Sequence, residues 1–341
     1  MPIPGEVIAR LLRVGLLCLP MLVLTASVAT GAASRTAPGQ PPFGRTRVGV
    51  AAPDIRKFDL LTRHHDDVDL KFGGLGSYTS GALTHQIGVD LAHHRITMLT
   101  LNANANGHPL PTGKLAAGAA DADYVDLSRQ ANAAATPVWI RPMQEMNGWW
   151  MSYCAFNQNG SSRGPNNSTK TFREAFRRIA IIMRGGTLAQ MNSKLAAVHL
   201  RRIQVNLSAA GITPSHQVAV VWNPQGAGSP PTAANAPMAY YPGSAYVDYV
   251  ADDLYAQSFR AYWKGVQPLY NLGKPFMLGE WAPWGTDDSG FVAQVFRWAE
   301  AHPRTAAIVY YDLNVRFNLR PKALAAYRAG VANRHFQTVG P

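Results

Sequence analysis

Eight short apolar runs, separated by helical patterns or polar loops, constrain the fold of this chain more than any other feature. They are Val48 to Val50, Val68 to Phe72, Ile96 to Leu101, Val138 to Ile140, Val218 to Trp222, Val247 to Leu254, Phe276 to Leu278 and Ile308 to Tyr311. Each is short and apolar or β-branched, so each reads as a strand. Between them, Phe172, Phe176, Ile179 and Met183 recur at helical spacing and stop at Gly185-Gly186, while Phe291, Val295, Phe296 and Trp298 lead to a stop near Pro303. Strands alternating with helices imply a parallel sheet, and eight such units predict a single-domain α/β fold, a (β/α)8 TIM barrel. A doubly wound open sheet gives the same alternation. Against it, no Gly-x-Gly-x-x-Gly follows an early strand, and Gly73-Gly74-Leu75-Gly76 has the wrong spacing for a dinucleotide loop. Two long polar segments, Asn157 to Thr169 and Gln225 to Ala236, follow the fourth and fifth strands, which in a barrel puts them on the substrate-binding face.

The ends of the chain are compositionally distinct. Arg10 and Arg13, an apolar stretch from Val14 to Val28 and small residues through Ala33 have the layout of a secretory signal peptide, expected over 1–33. Residues 34–45, rich in Pro, Gly, Ala and Ser, are expected to form a flexible lead-in, with the catalytic domain over 46–335. Cys18 falls in the first segment, which leaves Cys154 alone and excludes an internal disulfide or a multi-cysteine zinc site. The pairs His64-His65 and His93-His94 place neighbouring side chains on opposite sides of an element, so no metal is expected. The formal net charge of +12 is spread over scattered arginines with no basic run among aromatics, which argues against nucleic acid. It fits attraction to an anionic cell envelope, weakened by salt.

Glutamate is scarce: Glu6, Glu145, Glu174, Glu280 and Glu300. Glu145 and Glu280 each follow a short apolar run and precede tryptophans, Trp149 and Trp150 in one case, Trp281 and Trp284 in the other. A carboxyl at the end of a buried strand beside aromatic planes suits glycoside cleavage, in which one acid protonates a leaving oxygen and another meets the anomeric carbon. The four tryptophans point to a sugar-stacking cleft.

The run Arg141-Pro142-x-x-Glu145-Met146-Asn147-Gly148-x-Trp150 resembles the acid/base signature of glycoside hydrolase family 26, the β-mannanase family. Further motifs follow in the family's order: Val221-Trp222-Asn223-Pro224, Tyr241-Pro242-Gly243-x-x-Tyr246-Val247-Asp248 leading to Asp253-x-Tyr255, and Lys274-Pro275 running into Glu280. The resemblance implies that Glu145 is the general acid/base and Glu280 the nucleophile, with Arg141 near the nucleophile and Tyr255 hydrogen-bonded to it. It implies substrate contacts at Gln144, Asn147, Trp149, Trp150, Trp222, Asn223, Trp281 and Tyr310. It also implies a polysaccharide substrate, β-1,4-mannan first, cleaved with retention by a monomer that needs no cofactor. Three positions depart from the family's pattern. Gln144 replaces a histidine, Asn102 an aromatic, and Tyr310-Tyr311 a tryptophan platform. All three concern sugar contacts, so a β-1,3/1,4-glucanase, a xylanase or a non-catalytic carbohydrate-binding protein stays open.

Overall fold

The computed structural model describes residues 36–105, 107–257 and 261–341. The expected signal peptide lies outside the described residues. All eight expected strands form: β1 (Arg47–Ala51), β2 (Val68–Leu75), β3 (Ile96–Ala105), β4 (Val138–Pro142), β5 (Val218–Trp222), β6 (Tyr249–Gln257), β7 (Phe276–Trp284) and β8 (Thr305–Tyr311). They pair in parallel in chain order, and β8 returns to β1 to close the barrel. Helices α1 (Ile55–Thr62), α2 (Ala82–Ala92), α3 (Thr112–Ala116), α4 (Asp121–Asn132), α5 (Thr169–Met183), α6 (Leu188–Ala196), α7 (Trp263–Tyr270), α8 (Ser289–Ala301) and α9 (Pro321–Val331) lie along the chain between and after the strands. Between β5 and β6 there are only short 3-10 turns. α5 starts where the Ser168 hydroxyl accepts the Thr171 N–H and the Thr171 hydroxyl accepts the Ser168 N–H, so two orphan amide donors of the first turn are satisfied.

Alternation along the strands sorts side chains into two layers. Val68, Leu70, Met98, Trp139, Val221, Tyr249, Ala251, Met277 and Val309 pack together inside the barrel. Their chain neighbours, among them Val138, Ile140, Val220, Trp222, Leu278, Ile308 and Tyr310, belong to the larger core shared with the helices. Trp281 belongs to this outer core as well. It is fully buried, edge-on to Tyr310 at 5.0 Å and stacked on Tyr327 at 6.0 Å. Trp281→Ala is expected to cost about 3–5 kcal/mol, measured by urea unfolding.

Part of the lead-in expected to be flexible, the stretch from Ala37 to Gln40, packs against the floor of the barrel. The Pro38 carbonyl accepts Trp139 Nε1–H at 2.8 Å and the Tyr249 hydroxyl at 2.9 Å, and the Gly39 carbonyl accepts Arg47 Nε–H at 2.9 Å. Gly39 has φ +76°, and a Cβ there would lie 2.9 Å from both Ile96 Cδ1 and Trp139 Nε1, so the close approach requires glycine. Pro and Gly content correctly excludes regular structure here, but it says nothing about packing.

Candidate active site

Arg141 lies two residues beyond Trp139 on β4 and therefore also points into the barrel, near its C-terminal mouth. Its buried guanidinium ties four strands together. Nη1 donates to Glu280 Oε1 at 2.7 Å and to Thr100 Oγ1 at 3.1 Å, Nη2 to Asp253 Oδ2 at 2.5 Å, and Nε to Asn223 Oδ1, just past β5, at 2.9 Å. Burial opposes the Arg141 charge, but Asp253 and Glu280 outweigh it and hold the guanidinium above its ordinary value. On the other side, the Tyr255 hydroxyl donates to Glu280 Oε2 at 2.5 Å.

Glu280 faces inward because β7 slips register against β6, where Asp252 pairs with Leu278 but Asp253 with Glu280. The skipped residue is Gly279. A Cβ there would fall 2.1 Å from Asn223 Oδ1, so the bulge has no room for a side chain.

Glu145 sits on a tight turn just after β4. Both it and Met143 have φ +51°, a left-handed conformation that costs these residues on the order of 1–3 kcal/mol each. Backbone bonds hold the turn: Met143 N–H to Leu101 O at 2.9 Å, Glu145 N–H to Asn223 O at 2.7 Å, and Gly148 N–H to Glu145 O at 2.8 Å. The loop after β5 braces it from outside. Asn147 exchanges two hydrogen bonds with the Gln225 backbone at 2.8 and 2.9 Å, and Asn235 Nδ2 donates to Asn147 O at 2.9 Å. This places Gln225 Nε2 on Glu145 Oε1, while Trp150 Nε1 donates to Oε2 at 2.6 Å.

Burial, and then the Glu280 charge, push the Glu145 carboxyl up to about 7, against the opposing pull of Trp150, Arg141 and Gln225. The one guanidinium bonds the carboxyls of both Asp253 and Glu280 and makes no bond to Glu145.

A cleft of about 320 Å³ opens over these groups, lined by Glu145, Trp150, Gln225, Asp253, Tyr255 and Trp284. Three of its aromatics are substantially exposed, Trp150 at 47%, Tyr262 at 56% and Trp284 at 40%. Trp284 stacks on Tyr311 at 6.2 Å and meets Tyr255 edge-on at 5.4 Å.

The residues predicted from sequence divide into three groups. Glu145, Tyr255 and Trp150 line the cleft, Glu280 and Arg141 are bonded to its lining residues Tyr255 and Asp253, and half-buried Trp149 lies edge-on to Trp150 at 6.0 Å. Gln144 is nearly buried and donates to Asn102 Oδ1 at 3.2 Å. Asn147 and Asn223 are fully buried and brace the scaffold instead of facing sugar. Trp222, Trp281 and Tyr310 are corrections, since all three are fully buried and point into the outer core. Trp222 meets Tyr241 edge-on at 4.9 Å, and Tyr310 stacks on Phe317 at 3.8 Å with its hydroxyl donating to Val315 O at 2.7 Å. Conversely, Gln225 and the inward-facing Asp253 were not assigned roles from sequence, and of the pair at the platform position the inward-facing residue is Tyr311. Alternation from Tyr255 and from Val309 would have put Asp253 and Tyr311 on the inner face.

No family model matches the chain. A curated relative, Endoglucanase H of Acetivibrio thermocellus, is 25% identical over 234 residues, 63% of this chain, and the match spans 22% of the relative's length. Among solved structures, Bacillus subtilis mannanase BCman superposes with a TM-score of 0.58 at 15% identity over 89% of each chain. GH26A from Muricauda sp. superposes at 0.57 with 16% identity, over 86% of this chain and 91% of that one. A modular endo-β-1,4-mannanase from Cellulomonas fimi, whose description places it in glycoside hydrolase family 26, superposes at 0.58 with 13% identity, over 86% of this chain and 72% of that one. The likeness lies in the fold, and the chain is a closed (β/α)8 barrel.

Proposed function

We propose that this chain is an exported glycoside hydrolase that cleaves a β-linked polysaccharide, β-1,4-mannan first, with retention of anomeric configuration. The observation that carries the proposal is the pair of buried carboxyls, Glu145 and Glu280, close enough for the charge of one to act on the other, with opposite surroundings. Glu280 is held between Arg141 and Tyr255, whereas Glu145 is pushed up to about 7 by burial and by Glu280. Two carboxyls with divergent environments divide into a nucleophile and an acid.

In the first step, Glu280 attacks the anomeric carbon while Glu145 gives its proton to the glycosidic oxygen. The carbon–oxygen bond to the leaving sugar breaks and a glycosyl ester forms. In the second, Glu145, now a carboxylate, takes a proton from water, which attacks the same carbon and releases Glu280. Two inversions give retention. Arg141 keeps a positive charge beside Glu280 throughout, and Trp150 and Trp284 offer flat apolar faces to the pyranose rings on either side of the scission point. No step calls for a metal or organic cofactor. Export is supported by the signal-like composition of 1–33, and the net positive charge of +12 favours an anionic envelope as the protein's surroundings.

Mannan is supported by the solved mannanases that share the fold. A second reading, β-glucan, is supported by the curated relative's description as an endoglucanase and by an uncharged amide, Gln144, beside the acid. The test is reducing-end release from mannan, mixed-linkage glucan and xylan, with the anomer of the first product identified by proton NMR. Mannan hydrolysis giving the β-anomer first is expected. Cleavage of glucan alone would favour the second reading, the α-anomer first would overturn retention, and binding without cleavage of any of the three would leave a carbohydrate-binding protein.

A further inference from the structure

Tyr153 is fully buried beneath the turn that carries Glu145, and the reaction above does not use it. Its hydroxyl is 2.7 Å from the Gln144 carbonyl oxygen, 3.1 Å from Gln144 Oε1 and 3.4 Å from Asn102 Oδ1. A phenol has one proton to give, and the nearest acceptor is the carbonyl. That carbonyl and the Glu145 N–H belong to the same peptide unit, and the N–H is held by Asn223 O at 2.7 Å. Both polar groups of one peptide plane are therefore clamped, by a side chain on one side and by the end of β5 on the other. The plane sets φ at Glu145, +51°, and with it the direction in which the carboxyl leaves the backbone. Gln144 Nε2 on Asn102 Oδ1 pins the intervening side chain, and no titratable partner competes for the Tyr153 hydroxyl among the contacts just given.

We propose that Tyr153 is a positioning residue that fixes the Gln144–Glu145 peptide and so aims the Glu145 carboxyl at the glycosidic oxygen. The inference rests on the assignment of Glu145 as the acid. Proton transfer requires hydrogen-bond reach, and small displacements of a catalytic group are costly in rate.

The test compares wild type with Tyr153→Phe, which keeps the ring and deletes the hydroxyl, on two substrates: the polysaccharide that the wild type cleaves, and a dinitrophenyl glycoside of the same sugar, whose leaving group departs without a proton. Expected is a loss of about tenfold in kcat/KM on the polysaccharide and less than about twofold on the aryl glycoside. The basic limb of the pH profile should also move to lower pH, and hydrogen exchange at the Glu145 amide should speed up. Equal losses on both substrates, or none on either, would overturn the positioning role while leaving the glycosidase reading standing. A wild type inactive on both substrates would overturn the two together. Should Tyr153→Phe not fold, as judged by thermal melting, Tyr153→Met fills much of the same space without a donor and is held to the same substrate-dependent split.

Discussion

Hydrolysis by the Glu280→Ala protein is expected to fall by at least about 10⁴-fold in kcat/KM on whichever polysaccharide the wild type cleaves, because the carboxylate proposed to form the covalent intermediate is gone. Deleting the carboxyl removes one partner of Arg141 and the acceptor of the Tyr255 hydroxyl. Asp253, Thr100 and Asn223 still hold the guanidinium, so the barrel mouth should keep its shape and its affinity for sugar. Reducing-end release measured beside affinity electrophoresis on the same polysaccharide separates the two effects. Azide adds a stereochemical check. A small anion entering the space left by Glu280 attacks from the face the carboxylate used, so the expected product is the α-glycosyl azide. Residual activity above about one per cent of wild type would remove Glu280 from the role of nucleophile.

The Glu145→Ala protein should behave differently in ways that depend on substrate. Polysaccharide cleavage is expected to drop by about 10²–10⁴-fold, the usual contribution of a general acid. A dinitrophenyl glycoside, whose departure needs no proton, should still form the glycosyl-enzyme and accumulate it as a burst. Azide should then intercept that intermediate and give the β-glycosyl azide, opposite to the Glu280 variant. The sign of the pH dependence follows from the raised Glu145 carboxyl. The acid form acts, so wild-type kcat/KM should fall as the pH rises through about 7. Glu145→Ala should lose that basic limb. A limb that survived the substitution would assign the titration, and the acid role, to another group.

The strands and both glutamates were legible in the sequence because each depends on local pattern, a short apolar run followed by a functional residue at its end. The misplaced residues share one physical cause. Trp222, Trp281 and Tyr310 each adjoin an inward-facing residue, namely Asn223, Glu280 and Tyr311, and in a strand adjacent side chains point to opposite sides. Nearness in sequence to the acids therefore argued for the outer core, not for the cleft. Gln225 was harder to find, since its approach to Glu145 depends on Asn147 gripping the following loop across 78 residues. The left-handed backbone at Glu145 leaves no trace in residue type, because glycine is the residue that usually announces it.

The packed stretch from Ala37 to Gln40 bears on where this protein can be cut. A protease or an expression boundary that removed Pro38 would take away the acceptor for both Trp139 Nε1 and the Tyr249 hydroxyl, two polar atoms at the bottom of the barrel. Each would then have to find water in a space lined by Ile96 and Trp139, at a cost of about 1–3 kcal/mol apiece. The smallest stable form of this barrel should therefore include the Pro38 carbonyl, several residues ahead of β1, and affinity tags belong upstream of it.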